Sequence, residues 1–218
     1  MPKNRTVPDG ERENEILKRL KKEFPEAKTA LTFSNPFELL ISTILSAQCT
    51  DVRVNKVTPA LFAKYPTVKH FANAERHELE MDIKSTGFYH HKAKNIIGAA
   101  QTLVEKFGGI VPQTMEELLQ LPGVGRKTAN CVLGGAFGIQ SGIVVDTHVL
   151  RLSKRLGLTT QNTPEKVEED LLKMVPKKDW YRFSNLLILH GRKTCNARKP
   201  LCGQCCVAEL CPSRMKEQ

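Results

Sequence analysis

The sequence has no apolar run long enough to cross a bilayer and no apolar leader at its start. Even the segment Leu39–Leu45 is interrupted by Ser42 and Thr43, whereas a membrane-spanning helix needs about 20 consecutive apolar residues. The first residues, Met1–Arg5, lead into charge rather than into a secretion signal. These absences exclude a membrane protein, a membrane partner and a secreted disulfide scaffold. We expect a protein of the reducing cytoplasm.

A strand pattern is also missing, because polar and apolar residues do not alternate over more than four or five positions. No segment is of low complexity, and no repeat recurs at a fixed period. Apolar residues instead recur at helical spacing, as they do at Ile16, Leu17, Leu20 and Phe24. The chain is therefore predicted to be globular and all-α, with about ten helices joined by short turns.

Local signals mark where some helices begin and end. Asn35, Pro36 and Glu38 occupy the N-cap, N1 and N3 positions of a predicted apolar helix. The segment Trp180–His190 is predicted to be a short helix that ends at Gly191, because glycine often follows the last helical residue.

Acidic residues are too few to balance the basic ones. The chain contains 33 Lys and Arg against 23 Asp and Glu, which gives a net charge of +10. Half of that excess lies in the segment Tyr181–Gln218. A basic surface favours a polyanionic partner, most often nucleic acid, through phosphate contacts and counterion release. Charge alone leaves open a basic protein that binds no nucleic acid.

The seven cysteines are concentrated near one end of the chain. Cys49 and Cys131 stand alone and are predicted to be small, buried apolar residues. The other five fall within 17 residues and are Cys195, Cys202, Cys205, Cys206 and Cys211. Without Cys206, the separations of six, two and five residues let four thiolates surround one metal centre. Spacing alone leaves zinc and an iron–sulfur cluster open, and we interpret Cys206 as a bystander.

The segment Leu121–Asn130 has the pattern of a helical hairpin that binds an anion. Gly123 and Gly125 bracket Val124, which is predicted to pack inward, and a second helix is predicted to begin near Arg126. Glycines permit unusual backbone angles and leave room for a phosphate. The free N–H groups at the start of the second helix then attract that phosphate. A Gly-x-Gly pair alone is also typical of a plain tight turn.

Three motifs together resemble a known family. The segment Leu121–Asn130 resembles the helix-hairpin-helix of DNA base-excision glycosylases, and Lys127 is typical of the endonuclease III branch. The segment Val145–Val149 and the cysteine spacing agree with that branch, and the resemblance extends from about Glu13 to Cys211. It implies two helical domains with a DNA-binding cleft between them. Residues 30–139 would form a six-helix barrel with the hairpin, and residues 1–29 and 140–218 an iron–sulfur cluster domain.

The resemblance implies that Lys127 and Asp146 are catalytic. Position alone leaves Lys127 open as a phosphate-binding lysine, although a cation in the first turn of a helix is disfavoured by the helix dipole, which favours the nucleophilic neutral amine. Asp146 precedes a helical pattern, so an N-cap role is the alternative interpretation, and the two roles are compatible. The loop Gly138–Gly142 is about one residue longer than is typical of the family.

The resemblance also implies residues that contact DNA. Gln48 matches a glutamine that fills the gap left by an extruded base, and Phe88 lies in a wedge loop. The alternatives are a polar residue at a helix end for Gln48 and a core aromatic residue for Phe88. His148 is either a phosphate contact or a surface residue. Within the family pattern we also expect phosphate contacts from Arg126, Arg198 and Lys199, in addition to Gly123 and Gly125.

The implied cofactor is a 4Fe-4S cluster held by Cys195, Cys202, Cys205 and Cys211. The implied function is a bifunctional DNA glycosylase and abasic-site lyase that removes oxidised pyrimidines. Its partner would be damaged double-stranded DNA, and we expect a nucleoid-associated monomer. A monofunctional mismatch or adenine glycosylase is the alternative within the superfamily, and Lys127 argues against it. A non-catalytic DNA-binding or iron–sulfur sensor protein is the alternative from another class.

Overall fold

The structure, a computed structural model, describes residues 10–215. These residues form α-helices, short 3-10 helices and turns, with no β-strand among them, which confirms the predicted all-α fold class. The helices are α1 (Glu11–Glu23), α2 (Pro36–Leu45), α3 (Asp51–Lys64), α4 (Val68–Ala72), α5 (Arg76–Ile83), α6 (Tyr89–Phe107), α7 (Met115–Leu118), α8 (Arg126–Ala136), α9 (Thr147–Arg155), α10 (Pro164–Met174) and α11 (Trp180–Lys193). The 3-10 helices are Lys84–Thr86, Lys177–Asp179, Cys202–Gln204 and Ala208–Leu210. In residues 10–215 no helix has the length and apolar character that a bilayer span requires.

The chain divides into two compact units. The continuous unit is Thr29–Ser141 and contains α2 to α8. The discontinuous unit combines the described residues up to Lys28 with those from Gly142 onward, and it contains α1 and α9 to α11.

In the continuous unit, α2 and α6 supply much of the core. Helix α6 packs against α2, α4 and α5, while α2 also packs against α8. Every residue of α2 from Leu39 to Leu45 is buried. The beginning of α2 follows the predicted pattern, because the Asn35 side chain accepts a hydrogen bond from the Glu38 backbone N–H at 3.0 Å. This bond satisfies one of the free amides in the first turn.

In the discontinuous unit, the N-terminal helix shares a core with segments from the other end of the chain. The apolar face of α1, formed by Ile16, Leu17 and Leu20, is buried together with residues of α9, α10 and α11. Helices α9 and α11 pack closely against each other.

Two expectations about local structure are wrong. Helix α11 continues to Lys193, so Gly191 lies inside it and does not follow its end. A Cβ at Gly191 would stand 2.9 Å from Nδ1 of His148, which shows that this glycine permits close packing of α11 on α9. Cys49 and Cys131 are half-buried rather than buried. Cys49 lies in the turn after α2 and packs only at the edge of the core.

Candidate functional site

The hairpin between α7 and α8 places two glycines in different roles. Gly123 has a φ of +78°, and a Cβ there would stand 2.7 Å from Cβ of Asn95. Gly125 has an extended backbone and precedes the first residue of α8, and a Cβ at Gly125 would meet no atom within 4 Å. Val124 is buried and packs into the core, as predicted. The turn therefore needs glycine at 123, whereas Gly125 leaves open space beside the helix N-terminus.

Lys127 is the second residue of α8 and is exposed. Within residues 10–215 its side chain makes no hydrogen bond and no ion pair. The preceding Arg126 is also exposed. The helix therefore begins with two exposed basic side chains next to the open space at Gly125, which is the arrangement that a helix N-terminus offers to an anion.

Asp146 is the N-cap of α9 and belongs to the other unit. Its Oδ1 atom accepts hydrogen bonds from the backbone N–H of His148 at 2.8 Å and of Val149 at 2.9 Å. Oδ2 accepts no hydrogen bond from the described residues. One carboxylate oxygen therefore caps the helix and fixes the side chain, while the second oxygen keeps its lone pairs for another positive group.

The segment before Asp146 is anchored by a buried carboxylate. Glu168 of α10 is buried, and its Oε1 atom accepts a hydrogen bond from the Ile143 backbone N–H at 3.2 Å. His148, in the first turn of α9, is half-buried, and its Nδ1 atom lies 3.3 Å from Nη2 of Arg151. The backbone on both sides of Asp146 is thereby held in place.

Gln48 and Phe88 share an unusual backbone conformation. Among residues 10–215 they are the only non-glycine residues with a positive φ, 51° for Gln48 and 49° for Phe88. Both side chains are exposed, and 61% of Phe88 is accessible to solvent. The alternative interpretation of Phe88 as a core residue is therefore wrong. Strained backbone under an exposed side chain is typical of functional positions.

The four predicted metal ligands line one cavity of about 60 Å³, and Cys206 is not part of its wall. The cavity is also lined by His190, whose Nε2 atom lies 3.4 Å from Sγ of Cys205. Burial raises the pKa of the Cys205 thiol to about 11, so a thiolate there needs a compensating positive charge. Within the described part of the chain, no three His, Cys, Asp or Glu side chains are placed to hold a single metal ion.

Arg155 connects α9 to the loop between the first two cysteines of this set. Its guanidinium group donates to the carbonyl oxygens of Asn196 and Ala197, both at 2.7 Å, and lies 3.4 Å from Sγ of Cys195. Arg198 and Lys199 follow directly and are exposed. Arg155 belongs to no recognised motif, and its spacing of four residues from Arg151 on α9 is the signal that the sequence carries for it.

The all-α fold, the glycine-containing hairpin and the basic helix N-terminus define a class of DNA repair protein. Residues 41–177 match the model of the HhH-GPD superfamily of base excision DNA repair proteins. The chain belongs to this superfamily.

Relatives over nearly the whole chain narrow the assignment. The endonuclease III of Synechocystis sp. is 59% identical to this chain over 203 residues, which are 93% of this chain and 93% of the relative. The endonuclease III of Bacillus subtilis is 47% identical over 194 residues, which are 88% of each chain. The solved structure entitled "Structure of a non-covalent Endonuclease III-DNA Complex" matches with a TM-score of 0.90 and 44% identity, over 95% of this chain and 97% of that one. The chain is thus a member of the endonuclease III family. At the level of the family, the predicted enzyme class of DNA glycosylase and abasic-site lyase is confirmed.

Proposed function

We propose that the protein is a bifunctional glycosylase and lyase that excises oxidised pyrimidines from duplex DNA through a Schiff base on Lys127. The observation that carries this proposal is the exposed amine of Lys127, which no described residue engages, at the start of a helix suited to phosphate binding. A nucleophile must be reachable by its substrate, and an exposed amine beside an anion-binding helix N-terminus meets that condition.

In the proposed reaction the damaged nucleotide first leaves the base stack. The neutral Lys127 amine then attacks the anomeric carbon, and the bond to the base breaks with its electron pair leaving on the base. Loss of the amine proton and opening of the sugar ring give an imine. The imine acidifies the adjacent carbon, and loss of a proton there expels the 3′ phosphate. The strand is cut on the 3′ side of the lesion, and hydrolysis returns the free amine.

Asp146 is proposed to offset the positive charge that develops on the sugar as the base departs. Its Oδ1 atom is committed to the helix cap, so the charge would be met through Oδ2. A carboxylate that is already oriented needs no rearrangement during the reaction, which is the condition for effective electrostatic stabilisation.

Gln48 and Phe88 are proposed to enter the duplex when the damaged nucleotide leaves it. An exposed aromatic side chain such as Phe88 can be inserted between bases and offset part of the cost of unstacking. A glutamine amide can donate and accept hydrogen bonds, which suits Gln48 to the bases that lose their partner. Both positions belong to the continuous unit.

The four cysteines of the cavity are proposed to hold a 4Fe-4S cluster. The donor set fits this group, since the four thiols line one cavity and thiolates are the usual ligands of such a cluster. When bound, the cluster would supply four iron–thiolate bonds that fold the tail of the chain. Arg198 and Lys199 would then be presented to phosphates. Iron and sulfide analysis of the purified protein is expected to give four of each per chain; stoichiometric zinc without iron would refute this assignment.

Borohydride trapping on a duplex with one abasic site tests the proposed function. Borohydride reduces an imine to a stable amine, so the wild-type protein is expected to form a covalent protein–DNA adduct. The variant Lys127→Ala should form none. Lys106→Ala, which removes another exposed lysine of the same unit in the last turn of α6, is the matched control and should trap like the wild type.

The outcomes separate the candidate functions. A wild-type protein that excises the base but forms no adduct would be a monofunctional glycosylase. A protein that binds duplex DNA and does neither would be a DNA-binding protein without this chemistry. Trapping by Lys127→Ala at the wild-type level would assign the nucleophile to another amine.

A further inference from the structure

Lys92 is a buried lysine on the apolar side of α6. Only 3% of the residue is exposed, and the same side of the helix buries Ile96, Ala99 and Leu103. Its Nζ atom donates to the carbonyl oxygen of Leu45 at 2.7 Å and to that of Thr86 at 2.8 Å. Within residues 10–215 it forms no ion pair with a carboxylate.

A lysine in this position is unfavourable for stability. Removing an ammonium group from water costs several kcal/mol unless partners replace the lost hydration. Burial lowers the pKa of Lys92, and its hydrogen-bond acceptors among the described residues are two backbone carbonyl oxygens. An apolar residue of similar length would fill the same space without that cost, but it would leave the carbonyl oxygens of Leu45 and Thr86 without this donor. Core packing alone therefore does not explain why a hydrogen-bond donor occupies this position.

The positions of the two acceptor residues, Leu45 and Thr86, indicate what the donor does. Leu45 is the last residue of α2, and Gln48 lies three residues after it. Thr86 is the last residue of the 3-10 helix Lys84–Thr86, and Phe88 lies two residues after it. Gln48 and Phe88 are the two described non-glycine residues with left-handed backbone. The Lys92 side chain thus connects the start of the loop that carries Gln48 to the start of the loop that carries Phe88.

We propose that Lys92 is a positioning residue for base extrusion: its single ammonium group fixes the Gln48 loop and the Phe88 loop relative to each other. The two side chains then enter the duplex as a pair with a set separation. This inference rests on the proposed function, since it assigns Lys92 to the step before Lys127 attacks. It predicts that loss of the donor slows extrusion and leaves the chemistry of the amine intact.

The test compares Lys92→Met, which keeps the length of the side chain and removes its donors, with the control Lys106→Met at an exposed position of the same helix. Single-turnover base release is measured on two duplexes that differ only opposite the lesion. In one the oxidised pyrimidine is paired, and in the other it faces a mismatch, which lowers the cost of extrusion. Borohydride trapping at an abasic site reports on the Lys127 amine in both variants.

On paired DNA, Lys92→Met is expected to release the base about tenfold or more slowly than the wild type, and the mismatch should restore most of the loss. Trapping should stay within about twofold of the wild type, because the amine is unchanged. If Lys92→Met lost base-release rate equally on both duplexes, or lost none on either, the inference would be overturned. The proposed function would still stand in that case, because it depends on the activity of the wild type. If Lys92→Met does not fold, Lys92→Gln, which keeps a donor on a shorter side chain, takes its place, and the mismatch should again restore most of its loss on paired DNA. A wild type that forms no adduct would instead remove the proposed function itself.

Discussion

Gly191 of α11 lies directly against His148 of α9, the second residue after the Asp146 cap. A Cβ at Gly191 would stand 2.9 Å from Nδ1 of His148 and 3.2 Å from Nη2 of Arg151. Two helices can approach this closely only where one of them lacks a side chain. The absence of a methyl group on α11 therefore sets the position of the helix that begins at the proposed catalytic carboxylate.

Gly191→Ala should destabilise the protein. Alanine normally stabilises a helix interior relative to glycine by about 0.5–1 kcal/mol. Here the new methyl group overpacks the contact, and we expect a net loss of about 1–3 kcal/mol in the free energy of unfolding, measured by denaturant titration. The double variant Gly191→Ala/His148→Ala should recover part of that loss, since it removes the atom nearest to the new methyl group. If Gly191→Ala were more stable than the wild type, α9 and α11 would be shown to move apart without loss of free energy of unfolding.

Substitution of the two hairpin glycines should give different results. Gly123→Ala forces alanine to a φ of +78° and against Asn95, so unfolding should become easier by about 2 kcal/mol. Gly125→Ala places its methyl group in open space, so its stability should stay within about 0.5 kcal/mol of the wild type. Its affinity for duplex DNA should nevertheless fall, because the methyl group occupies space next to the proposed phosphate site. Equal affinities of Gly125→Ala and wild type would remove that site.

The variant Asp146→Asn distinguishes the helix-capping role of Asp146 from its proposed catalytic role. Asparagine caps helices about as well as aspartate, so the free energy of unfolding should change by less than about 0.5 kcal/mol. Base release under single-turnover conditions should fall by about 100-fold or more, since the negative charge is lost. Asp146→Ala is the companion variant and should also lose about 1 kcal/mol of stability. An unchanged rate for Asp146→Asn would leave the carboxylate with its structural role alone.

Arg155→Met should weaken DNA binding indirectly, through the loop that Arg155 holds in place. The variant loses the donors that hold Asn196 and Ala197, so the loop with Arg198 and Lys199 is no longer fixed. The slope of log affinity against log salt should become less steep by up to about 1.8, the value for two phosphate contacts. In a chain that already carries Arg198→Ala and Lys199→Ala, Arg155→Met should add little. A large additional loss there would indicate a direct role for Arg155.

Sequence signals predicted those features that depend on neighbouring residues. The Asn35 cap and the capping geometry of Asp146 depend on spacings of three residues or fewer. The inward packing of Val124 was indicated by its place between Gly123 and Gly125. The hairpin could be predicted because Pro122, the two glycines and the basic residues are adjacent in the sequence.

Features that depend on distant partners could not be predicted in this way. Gly191 looks like a helix end until α9, about 40 residues earlier in the chain, is seen against it. The bonds of Arg155 to the cysteine loop likewise join segments about 40 residues apart. Lys92 did leave a signal, a lysine four residues before Ile96 on an apolar helix face, but only the carbonyl oxygens of Leu45 and Thr86 explain it.

The discontinuous unit has a consequence for biosynthesis. The ribosome makes α1 before the other described helices, yet most of the residues that share the core with Ile16, Leu17 and Leu20 are made only after Gly142. The continuous unit ends at Ser141, directly before that point, and can fold while the rest of the chain is translated. Throughout that interval α1 carries an uncovered apolar face, so a helix made before the other described ones is among the last to find its native neighbours.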